Sequence, residues 1–278
     1  MNITYKRIRV THALSKSGLP DLDYSFNPYA GCAHACIYCY ARAFTRYEEV
    51  SRNWGRIVYI KENIIDVLRD EIVSLKKGVV GVSTITDPYQ PIESVEKLTR
   101  LGVELLLRSG FKVSIQTKSP LVTRDLDILE RYRGQVNVGF TITTLNPKIA
   151  SLIEPNSPSP LARAEALKRV SSRGLDTWVF LGPIIRGVND TRSSLEQVID
   201  LAFETGSKLF YDFYHHRPEL AESMKPLLVE NPLATGAPRI WRERVQEVIR
   251  ALCDERGIEC IPEFQAQPVE RKIDDFLG

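Results

Sequence analysis

The sequence Asn27-Pro28-Tyr29-Ala30-Gly31-Cys32-Ala33-His34-Ala35-Cys36-Ile37-Tyr38-Cys39-Tyr40 holds three of the five cysteines of the chain. Their spacing is C-x3-C-x2-C, with an aromatic residue directly before the last cysteine. A cysteine thiolate is a soft ligand that suits zinc and iron–sulfur centres. Three thiolates on one short loop can hold three corners of a four-iron–four-sulfur cluster, which leaves the fourth iron open to a small molecule.

Two other interpretations of this cysteine loop stay open on the sequence alone. The first is a group of ordinary buried thiols, although such close clustering argues against it. The second is zinc, because His34 lies inside the loop and would complete a closed site with four ligands. No second pair of cysteine or histidine residues lies nearby in the sequence, which weakens the zinc interpretation.

The composition is ordinary for a soluble globular protein, with 278 residues of which 43% are hydrophobic and 26% charged. No apolar run approaches the roughly 20 residues that a membrane helix needs, so we expect no contact with a membrane. The first residues lack the apolar segment of a secretory signal. Cys253 and Cys260 are expected to be unpaired interior residues, and this cysteine usage predicts a reducing, cytoplasmic location.

The charge balance gives no sign of a dedicated DNA-binding protein, because the formal net charge is only +2. Four arginines nevertheless follow the cysteine loop closely: Arg42, Arg46, Arg52 and Arg56. They form either a solvated face or a contact with phosphate or substrate.

Beyond the loop, apolar segments of strand length alternate with amphipathic segments of helix length. Six main strands are predicted at residues 23–27, 79–83, 112–116, 136–141, 177–181 and 208–213. The main helices are predicted at residues 62–75, 94–109, 123–133, 161–173, 191–205 and 240–256. This alternation predicts an α/β protein with a parallel sheet, open or curled.

Weaker signals predict a helix at residues 41–50, a minor strand at 57–60, a proline-rich loop at 147–160 and a last strand at 258–261. Residues 214–238 are expected to be irregular or partly helical. No change of composition marks a second domain, so we expect one domain over residues 1–278. Within it, residues 1–22 would lead into a core formed by residues 23–215, and residues 216–278 would be an extension packed on that core.

Polar segments follow all six predicted strands, where the catalytic loops of a parallel barrel lie. The cysteine loop, T-D-P-Y-Q-P-I-E at 86–93, T-K-S at 117–119, E-P-x(n)-R from 154 and G-P-I…G from 182 together resemble the spore photoproduct lyase-like branch of the radical S-adenosylmethionine (radical SAM) superfamily. The resemblance covers residues 27 to about 215. It implies a partial (β/α)6 TIM-type barrel of parallel strands, the radical SAM core, with the cofactors at its open mouth.

The resemblance also implies roles for single residues. Cys32, Cys36 and Cys39 would bind three irons of a 4Fe-4S cluster, and the amino and carboxylate groups of SAM would bind the fourth. The residues implied to contact SAM are Tyr38, Thr86, Asp87, Lys118, Thr141, Thr143, Arg163 and Ile184.

Within this set, the resemblance places Thr86 and Asp87 at the SAM amino group, and it places the cations Lys118 and Arg163 at the SAM carboxylate. Thr141 and Thr143 would hydrogen-bond the carboxylate or the ribose. Tyr38 and Ile184 would lie beside the adenine.

The implied activity is reductive cleavage of SAM to methionine and a 5′-deoxyadenosyl radical, which removes a hydrogen atom from a substrate. The protein would be a lyase or an oxidoreductase, reduced by an electron donor such as ferredoxin or flavodoxin. Its substrate, a small molecule or a nucleic acid, is not identified by the sequence.

Spore photoproduct lyase uses a cysteine after its second strand, helped by tyrosine. Here residues 82–87 read V-S-T-I-T-D without a cysteine, while Tyr38 and Tyr40 match the aromatic pair and are the candidate catalytic residues. Two alternatives stay open: a DNA photolesion lyase related to spore photoproduct lyase, and a zinc-stabilised protein that binds nucleic acid without catalysis.

Overall fold

The structure is a computed structural model that describes residues 2–19 and 21–263. Its strands are β1 (Thr4–Ile8), β2 (Leu14–Lys16), β3 (Tyr24–Phe26), β4 (Tyr29–Ala30), β5 (Ile57–Lys61), β6 (Val79–Val82), β7 (Lys112–Thr117), β8 (Val136–Thr141), β9 (Asp176–Ile184), β10 (Lys208–Phe213) and β11 (Cys260–Pro262). Its helices are α1 (Ala41–Phe44), α2 (Glu48–Arg52), α3 (Ile64–Glu71), α4 (Glu93–Glu96), α5 (Leu98–Arg108), α6 (Leu126–Arg131), α7 (Pro147–Ile153), α8 (Pro160–Ser171), α9 (Arg192–Glu204), α10 (Ala221–Glu230) and α11 (Arg239–Arg256). Short 3-10 turns cover Pro120–Asp125, Pro218–Leu220 and Pro232–Thr235.

The main sheet has eight strands in the order β11-β10-β9-β8-β7-β6-β3-β2. Neighbouring strands from β3 to β11 run parallel, and β2 alone pairs antiparallel, with β3. Because helices connect the parallel strands, their carboxyl ends share one edge. The predicted α/β fold, a partial (β/α)6 TIM-type barrel, is confirmed, and the six predicted main strands are β3 and β6 to β10.

The two faces of the sheet differ in polarity. In β7, Val113 and Ile115 are fully buried in the main hydrophobic core, whereas Ser114 and Gln116 line a cavity on the other face. Since side chains alternate along a strand, one face packs against the helices while the other remains polar. This polar face forms the inside of the partial barrel.

A second, small sheet has the order β1-β5-β4. Strand β1 pairs parallel with β5, and β4, which leads into the cysteine loop, pairs antiparallel with it. The polar sequence of residues 1–22 predicted only a lead-in, because an edge strand with one exposed face lacks a buried apolar run. The structure places β1 and β2 in that segment.

Three local predictions are corrected. The proline-rich segment contains α7, because Asn146 caps the helix and Pro147 occupies its first turn, where no amide donor is needed. The helix predicted over residues 94–109 is interrupted at Lys97, whose φ of 56° is left-handed. The helix predicted over residues 123–133 starts as a 3-10 turn and becomes α-helical only at Leu126.

Cys253 and Cys260 form a disulfide between α11 and β11, with 6.3 Å between their Cα atoms. The expectation that they are unpaired interior residues is therefore wrong. Helices α10 and α11 lie within the predicted extension 216–278, whose last part, residues 264–278, lies outside the described residues. No helix in the described part of the chain is long and apolar enough to cross a membrane.

Candidate active site

The cysteine loop leaves β4 at the carboxyl end of the main sheet. Cys32, Cys36 and Cys39 are all free thiols, the first two buried and the third partly buried. Burial raises the pKa of Cys36 to about 11 and also raises the pKa of Cys39. A thiol in such surroundings ionises when it binds a metal, so these three residues are chemically suited to be ligands.

Contacts from distant parts of the chain hold the backbone of the loop. The Gly31 carbonyl accepts hydrogen bonds from Thr86 Oγ1 at 2.5 Å and from Gln90 Nε2 at 3.1 Å. Gln90 Oε1 also accepts from Ala33 N at 2.9 Å. These bonds attach the loop to the segment after β6, so Thr86, predicted to contact the SAM amino group, positions the cysteine loop in this structure.

A helix that follows the barrel core also contacts the loop. Ser223 Oγ, in α10, donates a 2.6 Å hydrogen bond to the Ile37 carbonyl, and Ile37 N donates to the Ile153 carbonyl. Cys36 and Tyr38 share an apolar cluster with Met224 and other residues of α10. The loop is thus covered by the segment after β10 as well as by the helices of the core.

Asp87 and His34 form a buried charge pair beneath the loop, with 3.4 Å between Asp87 Oδ2 and His34 Nδ1. Burial alone would raise the pKa of Asp87, but His34 and hydrogen bonds from Lys118 N and Thr117 lower it to about 2. Burial alone would lower the pKa of His34, but Asp87 and Cys32 raise it to about 10. A protonated imidazole has no free lone pair for a metal, so this pair argues against His34 as a ligand.

The carboxylate of Asp87 accepts three hydrogen bonds in addition to this ion pair. Thr117 Oγ1 and Tyr89 N donate to Oδ1 at 2.7 and 2.9 Å, and Lys118 N donates to Oδ2 at 2.8 Å. Its oxygens are therefore occupied by partners within the protein. Asp87 was predicted to face the SAM amino group; the structure shows it joining the end of β7 to the cysteine loop.

Glu154 is the centre of a second buried network. Arg163 Nη2 lies 2.5 Å from Glu154 Oε2, and both side chains are sealed from solvent. The Tyr38 hydroxyl and Thr143 Oγ1 also donate to this carboxylate. Burial alone would raise the pKa of Glu154, but Arg163 and Lys118 lower it. In the sequence, Glu154 belongs to the E-P-x(n)-R motif, but it was not among the predicted site residues.

The two predicted carboxylate-binding cations have different surroundings. Besides Glu154, Arg163 bonds the carbonyls of Thr141 and Pro158, at 3.2 and 2.9 Å. Lys118 Nζ is 4.0 Å from Glu154 Oε1 and 5.7 Å from the centre of the Tyr38 ring, with 15% of its side chain exposed. Lys118 is therefore the cation that can reach a ligand, while the guanidinium of Arg163 is used inside the fold.

The remaining predicted SAM contacts lie at the ends of β8 and β9. Thr141 Oγ1 accepts a hydrogen bond from Gln116 Nε2 at 3.1 Å on the polar face of the sheet. The side chain of Ile184 is fully buried in the main hydrophobic core, and its carbonyl accepts from Tyr214 N. Contact between Ile184 and adenine stays a prediction. The burial of the Ile184 side chain in the core does not favour it.

The two candidate catalytic tyrosines point to different places. Tyr38 is buried against Glu154. Tyr40 is 49% exposed, donates a 2.7 Å hydrogen bond to the Thr84 carbonyl and lines the cavity inside the partial barrel. The structure therefore separates this pair and leaves Tyr40 alone beside the cavity.

The cavity has a volume of about 680 Å³. Asn137 Oδ1 accepts hydrogen bonds in it from Ser114 Oγ at 2.8 Å and from Trp178 Nε1 at 2.9 Å. Ser83, at the end of β6, also lines the cavity, and its buried hydroxyl has no hydrogen-bond partner among the described residues. None of these residues was among the predicted site residues, although the apolar–polar alternation of K-V-S-I-Q-T at 112–117 marks Ser114.

In the described part of the chain, no three His, Cys, Asp or Glu side chains converge as the ligands of a single metal ion do. This finding includes the three loop cysteines. In a four-iron cluster each cysteine binds a different iron, so the sulfur atoms need not meet at one point.

Comparison with known proteins gives a family match and several relatives. The family model for the Radical SAM superfamily matches residues 26–202. An uncharacterised protein of Methanocaldococcus jannaschii is 33% identical over 210 residues, which are 75% of this chain and 75% of that protein. The Radical SAM Nalpha-GlyT isomerase of Pseudomonas phage M6 is 23% identical over 177 residues, 62% of this chain and 36% of that protein.

Among solved structures, spore photoproduct lyase in complex with a dinucleoside spore photoproduct has the same fold. The TM-score is 0.68 with 14% sequence identity, covering 94% of this chain and 82% of that chain.

Proposed function

Because this chain belongs to the Radical SAM superfamily, we propose that Cys32, Cys36 and Cys39 bind a 4Fe-4S cluster and that the protein uses it to cleave SAM. The observation that carries this proposal is the set of three free thiols on one loop at the carboxyl edge of the parallel sheet. When bound, the cluster supplies one electron to SAM, whose carbon–sulfur bond breaks to give methionine and a 5′-deoxyadenosyl radical that takes a hydrogen atom from a substrate.

Lys118 would bind the carboxylate of SAM. Its ammonium group lies at the end of β7 with part of its surface accessible, and the neighbouring Cys36 and Glu154 keep it charged: burial alone would lower its pKa, but these two groups raise it. A charge-assisted hydrogen bond to a carboxylate is among the stronger polar contacts in proteins. Arg163 would act indirectly, by keeping Glu154 ionised and in place.

The cavity beside Tyr40 would hold the substrate. Its volume lies within the range of small-molecule sites, and its walls combine Trp178 and Phe210 with amide and hydroxyl groups. The substrate would thus be a small molecule or a small part of a larger one. An electron donor such as ferredoxin or flavodoxin would supply the electron for each cleavage.

A DNA photolesion lyase is the second candidate, and the fold shared with spore photoproduct lyase supports it. The cysteines argue against a thiol hydrogen donor, since three of the five lie on the loop and the other two are joined to each other. The third candidate, a zinc-stabilised protein that binds nucleic acid, requires a fourth zinc ligand that the paired His34 does not readily supply.

The test is anaerobic reconstitution with iron and sulfide, followed by addition of SAM and dithionite. We expect about four irons per chain, broad absorption near ~400 nm, and 5′-deoxyadenosine detected by mass spectrometry. Cys36→Ala should lose both the cluster and the product. The double variant Cys253→Ser/Cys260→Ser is the matched control, because it removes two cysteines outside the loop and should keep both. A colourless protein with one zinc would overturn the proposal.

A further inference from the structure

A second, smaller pocket lies between the segment that follows the cysteine loop and helix α10. It has a volume of about 300 Å³, and its lining is Arg42, Arg52, Asn53, Trp54, Arg56, Glu222 and Ser223. We call it the arginine pocket. Among the described residues it shares no lining residue with the cavity inside the barrel, so the cysteine loop has two separate approaches.

The arginine pocket carries positive charge that the fold only partly neutralises. Arg52 pairs with Glu48 and remains 75% exposed, and Glu222 is part of the lining. Arg42 and Arg56 form no ion pair within residues 2–19 and 21–263. A guanidinium presents several donors in a planar fork that fits a carboxylate or a phosphate.

Two buried hydrogen-bond donors at this pocket also lack acceptors. Arg42 Nε and Trp54 Nε1 are both shielded from water and have no partner in the described part of the chain. Trp54 is only 7% exposed. Because leaving a buried donor unpaired is unfavourable, such donors are normally given an acceptor by the protein, by water or by a bound group. The pocket is thus chemically suited to an anionic partner.

The pocket is also in direct contact with the cysteine loop. Trp54 packs in one apolar cluster with Cys32, against which Cys39 also lies. Ser223, on the pocket's other side, donates a hydrogen bond to the Ile37 carbonyl within the loop. Trp54 therefore belongs both to the lining of the arginine pocket and to the apolar cluster that contains Cys32.

We propose that the arginine pocket and the exposed surface around it dock an acidic one-electron carrier protein that reduces the cluster. This inference rests on the proposed function, since each SAM cleavage consumes one electron. The carrier is oxidised as it gives up that electron, and it then dissociates. The side of the cysteine loop that faces the barrel cavity stays free for SAM and substrate. Charge complementarity favours this partner, because carboxylates around the carrier's redox group would pair with the guanidinium groups of the pocket. Such opposite charges speed association and suit a small, transient interface.

Nucleic acid is the other anionic partner to consider. Contact with its phosphates would be expected where the substrate cavity opens at the carboxyl edge of the sheet, and there the described lining includes Glu263 but no lysine or arginine. The arginine pocket lies outside that cavity. The position of the arginines therefore favours delivery of electrons over recognition of substrate, and the experiment distinguishes the two.

The test compares Arg52→Glu/Arg56→Glu with Arg108→Glu/Arg173→Glu, which makes the same change of charge at the amino edge of the barrel. Reconstituted proteins are assayed for 5′-deoxyadenosine with dithionite and, separately, with reduced plant-type ferredoxin. Binding of oxidised ferredoxin and, separately, of single-stranded DNA is measured in parallel at low and high salt, with and without the cluster. This second measurement does not depend on activity.

With ferredoxin, we expect the pocket variant to form product about tenfold more slowly and to bind ferredoxin correspondingly more weakly. With dithionite it should match the parent protein, since a small reductant needs no docking surface, and the control variant should match in both assays. High salt should weaken ferredoxin binding to the parent protein.

The proposal would be overturned if the pocket variant and the control variant formed product at equal rates with ferredoxin. It would also be overturned if the pocket variant lost the same fraction of its activity with dithionite as with ferredoxin. Loss of single-stranded DNA binding in the pocket variant with ferredoxin binding unchanged would overturn it as well. If the parent protein makes no product with dithionite but binds ferredoxin through the pocket, the proposed function fails while the docking site stands.

Discussion

Glu154 and Arg163 form an ion pair inside the candidate site, with 2.5 Å between Glu154 Oε2 and Arg163 Nη2. Neither side chain reaches solvent. Each charge would be costly to bury alone, and the pair is placed so that Tyr38 and Lys118 lie against the same carboxylate. The ion pair therefore links the stability of the fold to the geometry of the cysteine loop.

Arg163→Met should destabilise the protein by about 3–5 kcal/mol, because it leaves Glu154 buried without its main cation. Guanidinium-induced unfolding measures this loss. Arg163→Met/Glu154→Gln should recover a large part of it, since both charges are then absent. Arg173→Met, which removes an arginine from an exposed pair with Glu130, is the control and should have a much smaller effect. A loss no larger than that of the control would contradict the interpretation.

Lys118→Met should weaken SAM binding roughly tenfold to a hundredfold, because a hydrogen bond to a charged group contributes about 1.5–3 kcal/mol. Equilibrium dialysis of the anaerobically reconstituted protein measures the Kd, at equal iron content for each variant. Lys148→Met, at an exposed lysine of α7, is the matched control and should bind as the parent does.

Decarboxylated SAM provides a second check on the same contact. The parent protein should prefer SAM over the decarboxylated analogue, and Lys118→Met should lose most of that preference. If the variant retains the full preference, another residue binds the carboxylate.

Asp87 should stabilise the fold at neutral pH and lose this effect in acid. Its pKa is about 2, against 3.8 for an unperturbed carboxyl, so the unfolded chain binds the proton more readily than the folded one. The contribution is roughly 2 kcal/mol. It is fully present above about pH 4 and disappears as the pH falls through 2.

Urea unfolding between pH 2 and pH 5 measures this dependence. Asp87→Asn should be less stable than the parent at pH 5, and the difference should shrink toward pH 2. Asp66→Asn, at an exposed position, is the control. If the stability difference between Asp87→Asn and the parent does not change with pH, the charge of Asp87 does not contribute to stability. Its hydrogen bonds alone would then account for the difference.

Gly31→Ala should disrupt the cysteine loop. The φ of Gly31 is +84°, and an added Cβ would lie 2.6 Å from the Ile57 carbonyl oxygen and 2.7 Å from Val50 Cγ1. We expect less than half of the parent's iron after reconstitution and a loss of about 1–3 kcal/mol of stability. Gly110→Ala is matched in backbone strain, with φ +82°, but has nothing within 4 Å of the added Cβ, so it should keep its iron. Equal iron contents would contradict the role of Gly31.

Much of the fold was predictable because its signals are local. The apolar runs of β6 to β10 and the stripes of α5, α8 and α9 recur at the spacing of their own secondary structure. Helix α7 was missed because proline was interpreted as a loop signal rather than as a helix start. Strand β1 was missed because T-Y-K-R-I at 4–8 is mostly polar and exposed, with no buried apolar run to mark it.

The sequence by itself determined the fold class, the cysteine loop and the family that the loop resembles, because the spacing of the thiols and the strand–helix alternation are properties of neighbouring residues. Only the tertiary structure decided how the polar residues are used. It pairs Asp87 with His34 and Glu154 with Arg163, leaves Lys118 accessible, separates Tyr38 from Tyr40, and joins Cys253 to Cys260. The physical reason is that a buried charge or thiol takes its partner from whichever element packs beside it, and sequence spacing does not encode that neighbour.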